Sequence, residues 1–260
     1  MGGLVGYVDK ASSIISKCSS SVVADQTTNG RDIGGLVGKI ISGAIEKSFA
    51  TGNVAGIQRN VGGLVGLVTS GSATIRDCYA TGNVTANAYS GGLIGLYEKG
   101  TAVISNCYAT GDVSGAGFAL GGLIGVTGTG LTISNSAAWN GSITPGTCGS
   151  GNWSSGAVVG VTYPTSSITN CYRNPSMALT AYWVPDADFN HPDVSPSHPL
   201  VTQNGTETTA TSTSKGQPDY PQYPYHGKVE AGKTLSELAS TTLGWDATIW
   251  DFSAAMPTLK

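Results

Sequence analysis

Cysteine recurs at one position of a repeating sequence pattern and is the residue type whose chemistry we consider first. The recurring cysteines are Cys18, Cys78, Cys107 and Cys171. Thiols at this spacing could ligate a metal ion or form disulfides between neighbouring repeats. However, serine stands at the same position in two other repeats, as Ser48 and Ser136, and the chain has no CxxC motif. We therefore predict an inward-facing column of reduced thiols that pack as small apolar groups, with Cys148 outside this cysteine column.

An aromatic stripe follows the cysteine column one residue later. Its rings belong to Phe49, Tyr79, Tyr108 and Tyr172, while Ser19 and Ala137 interrupt it in two repeats. Because side chains alternate in direction along a strand, inward cysteines turn these rings outward. Exposed rings could stack on sugar rings or anchor a protein partner. The alternative is that the rings stack on one another or lie under segment 177–232. The stripe is the predicted ligand-binding site.

The repeats offer no convergent catalytic or metal-binding group. Asp77 and Asp112 occupy different repeat positions, so no column collects the two carboxylates that glycoside hydrolysis requires. The three histidines, which have no HxH or HxxxH spacing, are His191, His198 and His226. We therefore predict that the chain has no catalytic residue, no metal site and no cofactor, and that it is not an enzyme.

A carbohydrate-active enzyme is the alternative function. Its site would lie near segment 177–232, where Asp186, Asp188 and Asp193 occur close together. Loops on rigid scaffolds often carry function, which keeps this alternative open. It requires two carboxyl groups about 5–10 Å apart.

The charge balance excludes two classes of partner. The chain of 260 residues has 13 Lys and Arg against 16 Asp and Glu, and 11% of its residues are charged. Such a composition cannot form the basic surface that nucleic acids or anionic membranes require. Glycine, serine and threonine also interrupt every apolar stretch before the ~20 residues of a membrane span. We expect no nucleic-acid partner and no membrane insertion.

The elements that must position these residues come from a sequence repeat. The segment GGLVG begins at residues 2, 34 and 62, continues as GGLIG at 91 and 121, and survives as GAVVG at 156. A second block keeps the same phase and is seen as KSFATGNV (47–54), DCYATGNV (77–84) and NCYATGDV (106–113). Two blocks with one period indicate one structural unit stacked on copies of itself.

Each unit contains short, β-branched apolar runs separated by Gly, Asn, Thr and Ser, without helical spacing. This pattern predicts an all-β fold, a parallel β-solenoid of about six coils, with equivalent residues ~4.8 Å apart. One aliphatic column is the predicted core: Leu4, Leu36, Leu64, Leu93, Leu123 and Val158. The glycines beside it are expected where neighbouring backbones approach closely, so replacing Gly63 or Gly92 with valine should be more damaging than replacing an exposed serine.

The composition changes after the repeats, since eight of the eleven prolines lie between Pro175 and Pro224. We predict three regions: a solenoid at 1–176, a long irregular loop at 177–232 and a C-terminal cap at 233–260.

The C-terminal cap has its own sequence signals. Thr234 stands three residues before Glu237, which is the capping-box pattern that opens a short helix. Trp245 and Trp250 supply apolar bulk, and we expect them to fold back and cover the last coil.

The two repeated blocks resemble the GLUG-motif family, which occurs in large bacterial surface and secreted proteins. The resemblance covers about residues 2–176, and LGWDATIWDFSAAMPTLK (243–260) looks like the Trp-containing segment that often ends such arrays. It implies a right-handed β-helical fold, a bacterial source, an extracellular or cell-surface setting, and no catalytic residues.

We therefore expect a non-enzymatic, secreted or cell-surface module of a longer protein. It would act as an adhesin-like binder of a glycan, matrix component or extracellular protein, or as a spacer.

Overall fold

The chain folds as an all-β parallel solenoid, as its sequence predicts. The computed structural model describes residues 1–26, 30–116, 119–145, 155–162, 165–179, 181–182, 199–201 and 227–260. The six copies of the GGLVG-like motif stack over about 5 turns. Most of the predicted loop at 177–232 lies outside the described residues.

The first parallel sheet begins at the fourth residue of each GGLVG-like motif and includes the strand that follows. Its strands are Val5–Val8, Ile14–Ser16, Val37–Ile40, Gly43–Glu46, Val65–Val68, Ser72–Arg76, Ile94–Ser105, Ile124–Ser134, Val159–Thr162 and Ser167–Thr169. The repeats pair in register, so that Val65 lies between Val37 and Ile94.

The second parallel sheet carries the aromatic stripe. Its strands are Ser19–Ser20, Phe49–Ala50, Tyr79–Ala80, Tyr108–Ala109, Ala137–Ala138, Tyr172–Arg173 and Lys228–Val229. The last of these strands comes from beyond the repeats and extends the sheet next to Tyr172.

The third parallel sheet closes the cross-section. Its strands are Ala24–Gln26, Ile33–Gly34, Val54–Gly62, Val84–Gly91, Val113–Gly115, Leu120–Gly121, Ser142–Pro145, Ser155–Gly156 and Ala178–Leu179. Two antiparallel pairs lie outside the three sheets: Ala181–Tyr182 with Pro199–Val201, and Trp250–Asp251 with Thr258–Leu259.

The predicted aliphatic column forms the core. Leu36, Leu64, Leu93, Leu123 and Val158 are all fully buried. Leu4 differs because it lies in the first coil, where one side has no neighbouring coil, and it is 49% exposed. Burial of each inner leucine contributes about 1.5–3 kcal/mol.

The motif glycines are required by the contact between coils. A Cβ built on Gly63 would collide with the carbonyl oxygen of Gly92, and one built on Gly92 would collide with that of Gly122. Neither glycine has a positive φ, so close approach rather than backbone conformation explains them. The final copy of the motif has Ala157 at this position.

A turn column precedes the cysteine column by one residue, and each of its members has a positive φ. These residues are Lys17, Lys47, Asp77, Asn106, Asn135 and Asn170. Asparagine and aspartate tolerate this left-handed conformation better than other residues with a side chain. Asn106 also donates a hydrogen bond to Asp77 at 3.0 Å, and Asn170 donates one to Asn135 at 2.7 Å. The column therefore links adjacent coils through their side chains.

Candidate functional site

Three rings of the aromatic stripe, those of Phe49, Tyr79 and Tyr108, stack on one another along the second sheet. The ring centroids of Phe49 and Tyr79 are 4.7 Å apart, and those of Tyr79 and Tyr108 are 4.9 Å apart. The two pairs are almost parallel, with interplanar angles of 3° and 6°. The in-register pairing of the strands sets this spacing, because it places equivalent residues of successive coils side by side.

The expected exposure of the aromatic stripe is wrong. Tyr79, Tyr108 and Tyr172 are only 7%, 1% and 9% exposed, while Phe49 is partly buried. The rings do point away from the solenoid core, as strand alternation predicts, but a second apolar cluster covers them. Exposing a row of large aromatic rings to water is energetically unfavourable, and the second cluster shields them from solvent. The predicted ligand-binding role of Tyr79, Tyr108 and Tyr172 therefore loses the open surface on which it depended, whereas Phe49, at the end of the stack, keeps one face without a ring.

The cover is supplied by the C-terminal segment, which lies along the flank of the solenoid over several coils. The apolar residues that it contributes are Leu235, Leu238, Ala239, Leu243, Trp245, Ile249, Trp250, Phe252 and Leu259. Trp250 is fully buried, and its ring lies 6.1 Å from Tyr79 and 5.9 Å from Tyr108. The expectation that this segment covers the last coil is corrected, since its tryptophans contact the inner coils.

The gap in the stripe at Ala137 admits a ring from the cover. Trp245 stacks on Tyr108 at 6.1 Å with an interplanar angle of 21°. Its indole Nε1 donates a hydrogen bond to the carbonyl oxygen of Asn135, at 2.9 Å. Trp245 thus stands beside Ala137, where the repeats provide no ring of their own, and continues the stack.

Two further features hold the cover in place. The buried hydroxyl of Tyr108 donates a hydrogen bond to the carbonyl oxygen of Pro257, at 2.6 Å. The predicted capping box is confirmed: the Thr234 hydroxyl accepts from the backbone N–H of Glu237, and the Glu237 carboxylate accepts from the backbone N–H of Thr234. The backbone N–H and the hydroxyl of Thr234 both donate to the Glu237 carboxylate, and these two hydrogen bonds lower the pKa of Glu237 below its ordinary value. The capping box is followed in the chain by a helical turn at Leu235–Glu237 and a π-helical turn at Leu238–Thr242.

The gap in the stripe at Ser19 is not filled by a ring. A groove of about 210 Å³ lies beside Phe49, between the first two coils and the end of the C-terminal segment. We call it the lysine groove. It is lined by Lys17, Ser19, Lys47, Phe49, Thr248, Ile249, Leu259 and Lys260. The sequence analysis named Phe49 and Ser19 as parts of the aromatic stripe, but it did not single out the lysines, because a turn lysine has no local sequence mark that distinguishes it from a solvated one.

The cysteine column faces the core, as predicted. Cys78, Cys107 and Cys171 are fully buried with free thiols, and Cys18 in the first coil is partly buried. The thiols of Cys78 and Cys107 each donate to the carbonyl oxygen two residues earlier, at 3.1 Å. Ser48 and Ser136 make the same contact at 2.7 and 2.8 Å, which explains why serine replaces cysteine.

Burial also lowers the reactivity of two thiols in this column, those of Cys107 and Cys171. Desolvation raises the pKa of Cys171 to about 12, and it raises the pKa of Cys107 well above its ordinary value. Nucleophilic and metal-binding chemistry needs the thiolate, which these sites disfavour. Cys148 lies outside the described residues.

Three acidic residues of the repeats link neighbouring coils. Asp77 accepts from Asn106, Asp112 accepts from the backbone N–H of Ser142 at 2.7 Å, and Glu46 pairs with Arg76 at 2.8 Å. Within the described ranges, no group of three or more His, Cys, Asp or Glu side chains could hold a metal ion. The candidate acids and histidines of segment 177–232 lie outside those ranges: Asp186, Asp188, Asp193, His191, His198 and His226.

In the part of the chain that the structure describes, no helix is long and apolar enough to cross a membrane.

Comparisons with known proteins identify the repeats. The sequence profile of the GLUG motif matches residues 58–85 and 86–114. A protein named Halomucin, from Haloquadratum walsbyi (strain DSM 16790 / HBSQ001), is 40% identical over 88 residues, which are 34% of this chain and 1% of Halomucin. That relative comes from an archaeon, so it does not support the expected bacterial source. No solved structure matches the chain. The resemblance found in the sequence is confirmed for residues 58–114, which carry two GLUG-motif repeats.

Proposed function

We propose that the chain is a non-enzymatic module of an extracellular or cell-surface protein, and that it works as a stiff unit that spaces or displays its neighbours. The observation that carries this proposal is the closed construction of the solenoid. Its interior is filled by stacked aliphatic side chains, and its own C-terminal segment covers most of the aromatic stripe. Such a body has a fixed length and shape, which suits a spacer.

The in-register stacking supports the stiffness. Equivalent residues pair from coil to coil in all three sheets, and the rings of the stripe are stacked in the same direction. Bending the solenoid would have to break these ladders and the core contacts together, because packed interiors deform little.

The chemistry of the described residues supports a non-enzymatic role. The acids of the coils described above have hydrogen-bond or ion-pair partners that link one coil to the next. Burial raises the pKa of the Cys107 and Cys171 thiols and so favours their protonated form. We expect no cofactor, and the partners that we propose are a glycan or a protein outside the cell.

The location is supported by the comparisons. The GLUG motif matches two repeats, and the partial relative is a far longer protein named Halomucin. The chain spans about 1% of that relative, so the activity and partners of any whole protein that contains these repeats are part of the proposal.

Surface labelling tests the location. An antibody raised against the folded chain is applied to intact and to permeabilised cells of the source organism. We expect equal labelling of both, because the module lies outside the membrane. Labelling that requires permeabilisation would contradict the proposal.

A depolymerisation assay tests the absence of catalysis. The purified chain is incubated with a panel of neutral and acidic polysaccharides, and new reducing ends are measured. We expect no release above that of the triple variant Asp186→Asn/Asp188→Asn/Asp193→Asn. Release that this variant abolishes would establish the carbohydrate-active alternative.

A further inference from the structure

The lysine groove combines an apolar floor with a cationic rim. Phe49, Ile249 and Leu259 are partly buried members of the covered cluster and form the floor. Lys17, Lys47 and Lys260 contribute the cationic groups of the rim. The groove has a volume of about 210 Å³, which suits one small ring rather than a folded segment.

Phe49 is the end of the ring stack and has one face without a ring. Tyr79 covers one face at 4.7 Å, whereas the in-register neighbour on the other side is Ser19. Both Ser19 and Phe49 line the groove. An aromatic face at the bottom of a groove, beside a hydroxyl, provides a flat apolar contact with polar groups around it.

Lys17 and Lys47 depart from the pattern of the turn column at this place. Both have a positive φ, of 54° and 47°, where four later coils carry Asp or Asn. Their backbones are neighbours in adjacent coils, so two ammonium groups replace the hydrogen-bonded pairs seen elsewhere in the column. Like charges at neighbouring positions of a ladder are destabilising. Local sequence rules are typically broken where a site has a function.

The cationic rim is only partly neutralised by the protein. Hydrogen bonds from Thr248, together with Lys47 and Lys260, lower the pKa of Asp246 below its ordinary value. The Lys260 ammonium donates to the carbonyl oxygen of Ala247 at 2.5 Å. Among the described residues, no carboxylate lies within salt-bridge distance of Lys17 or Lys47. An anionic group of a ligand can therefore approach this pair.

We propose that the lysine groove binds one anionic sugar residue of an extracellular polysaccharide. The sugar ring lies on the open face of Phe49, its carboxylate or sulfate contacts Lys17 and Lys47, and its hydroxyls meet Ser19 and Thr248. This inference rests on the proposed function, because it gives the non-enzymatic module a polysaccharide as its partner.

Affinity electrophoresis of the whole chain tests the proposal. Migration is measured in gels that contain polygalacturonate, dextran sulfate, neutral dextran or polyglutamate, at about 0.15 M ionic strength, where exposed charges more than ~8 Å apart are largely screened. We expect retardation by polygalacturonate or dextran sulfate, and the two gels distinguish a carboxylate from a sulfate ligand. Neutral dextran and polyglutamate should not retard the chain, since one lacks the charge and the other lacks the ring.

Matched variants locate the site. Lys17→Asn/Lys47→Asn places at both positions the residue that three later coils carry, and it should weaken binding at least about tenfold, because it removes both charged donors to the anionic group of the ligand. Phe49→Ala removes the ring and introduces the residue that stands at the equivalent position of another repeat, Ala137. It should weaken binding by a similar factor. Lys10→Asn/Lys99→Asn removes the same charge at two exposed sites outside the groove and should leave binding within about twofold. The melting temperature of each variant serves as the folding control.

Several results would overturn the proposal. They are the absence of retardation in every gel, equal retardation by polyglutamate, and binding that survives Lys17→Asn/Lys47→Asn in the folded variant. None of these results bears on the surface-labelling experiment, so the proposed function would stand. Release of fragments from the bound polymer would instead contradict the non-enzymatic function.

Discussion

The aromatic stripe lacks a ring at Ala137 and at Ser19, and only the position at Ala137 receives a ring from another part of the chain. At Ala137 the missing ring is replaced by Trp245 from the C-terminal segment, which stacks on Tyr108 and bonds to Asn135. At Ser19 nothing takes the place of the ring, and a groove with two turn lysines remains. The comparison teaches that a small residue at a repeated aromatic position leaves a space. Another side chain of the same protein can fill that space, or it can stay open to a ligand.

The cover is tested most strongly at Trp250, which touches two rings of the stripe. Trp250→Ala should lower the free energy of unfolding by about 3–5 kcal/mol, because it removes a fully buried indole and leaves a cavity. Chemical denaturation followed by circular dichroism measures this loss. A loss below about 1 kcal/mol would show that the cover does not depend on this ring.

Filling each gap with a tyrosine should have opposite effects on stability. Ala137→Tyr puts a ring where Trp245 stands and should cost about 1–3 kcal/mol through overpacking. Ser19→Tyr adds a ring on the open face of Phe49 and should be neutral or stabilising by about 0.5–1.5 kcal/mol. The two melting temperatures are compared with that of the parent chain. Equal shifts in the same direction would contradict the different roles of the two gaps.

The hydrogen bond from Tyr108 to Pro257 predicts that the hydroxyls of Tyr108 and Tyr79 contribute differently to stability. Tyr108→Phe leaves a buried carbonyl oxygen without its donor and should cost about 1–2 kcal/mol. Tyr79→Phe removes a hydroxyl for which the described residues provide no hydrogen-bond partner, and it should cost less than about 0.5 kcal/mol. Denaturation midpoints measured in parallel give the difference. Equal costs would mean that the bond to Pro257 does not hold the cover.

The cysteine column, on the other face of the same strands, predicts a dependence on alkaline pH. The pKa of Cys171 is raised from 9.0 to about 12, so the unfolded thiol ionises first and stability falls as pH rises from about 9 towards 12. Between pH 8 and pH 10 this one group should account for about 1 kcal/mol of the loss. Cys171→Ser replaces the thiol with the hydroxyl that Ser48 and Ser136 carry at the same position of the column. This variant should lose correspondingly less stability over that pH interval. An identical alkaline loss in both proteins would contradict this assignment.

Much of the solenoid follows from residues that repeat in phase. The leucine column, the inward cysteines and the close contact at Gly63 and Gly92 are each visible as periodic sequence positions, and the structure bears them out. The capping box at Thr234 was also predictable because it is a local pattern.

The cover could not be placed from the sequence. Trp245 and Asn135 are 110 residues apart, and Tyr108 and Pro257 are 149 residues apart, with no periodicity linking them. Strand alternation correctly turned the rings away from the core, but it carries no information on what packs over them. The lysine groove was missed for the same reason, since one wall comes from the turn column and the other from the C-terminal segment.

The burial of the aromatic stripe is the central claim, and hydroxyl-radical footprinting with mass spectrometry tests it most directly. Tyr7 provides an internal reference, because it is 53% exposed in the same solenoid whereas Tyr108 is 1% exposed. The account predicts that Tyr7 is oxidised rapidly while Tyr79 and Tyr108 are protected, and that Trp250→Ala removes part of this protection. Oxidation of Tyr108 in the parent chain at the rate of Tyr7 would contradict it.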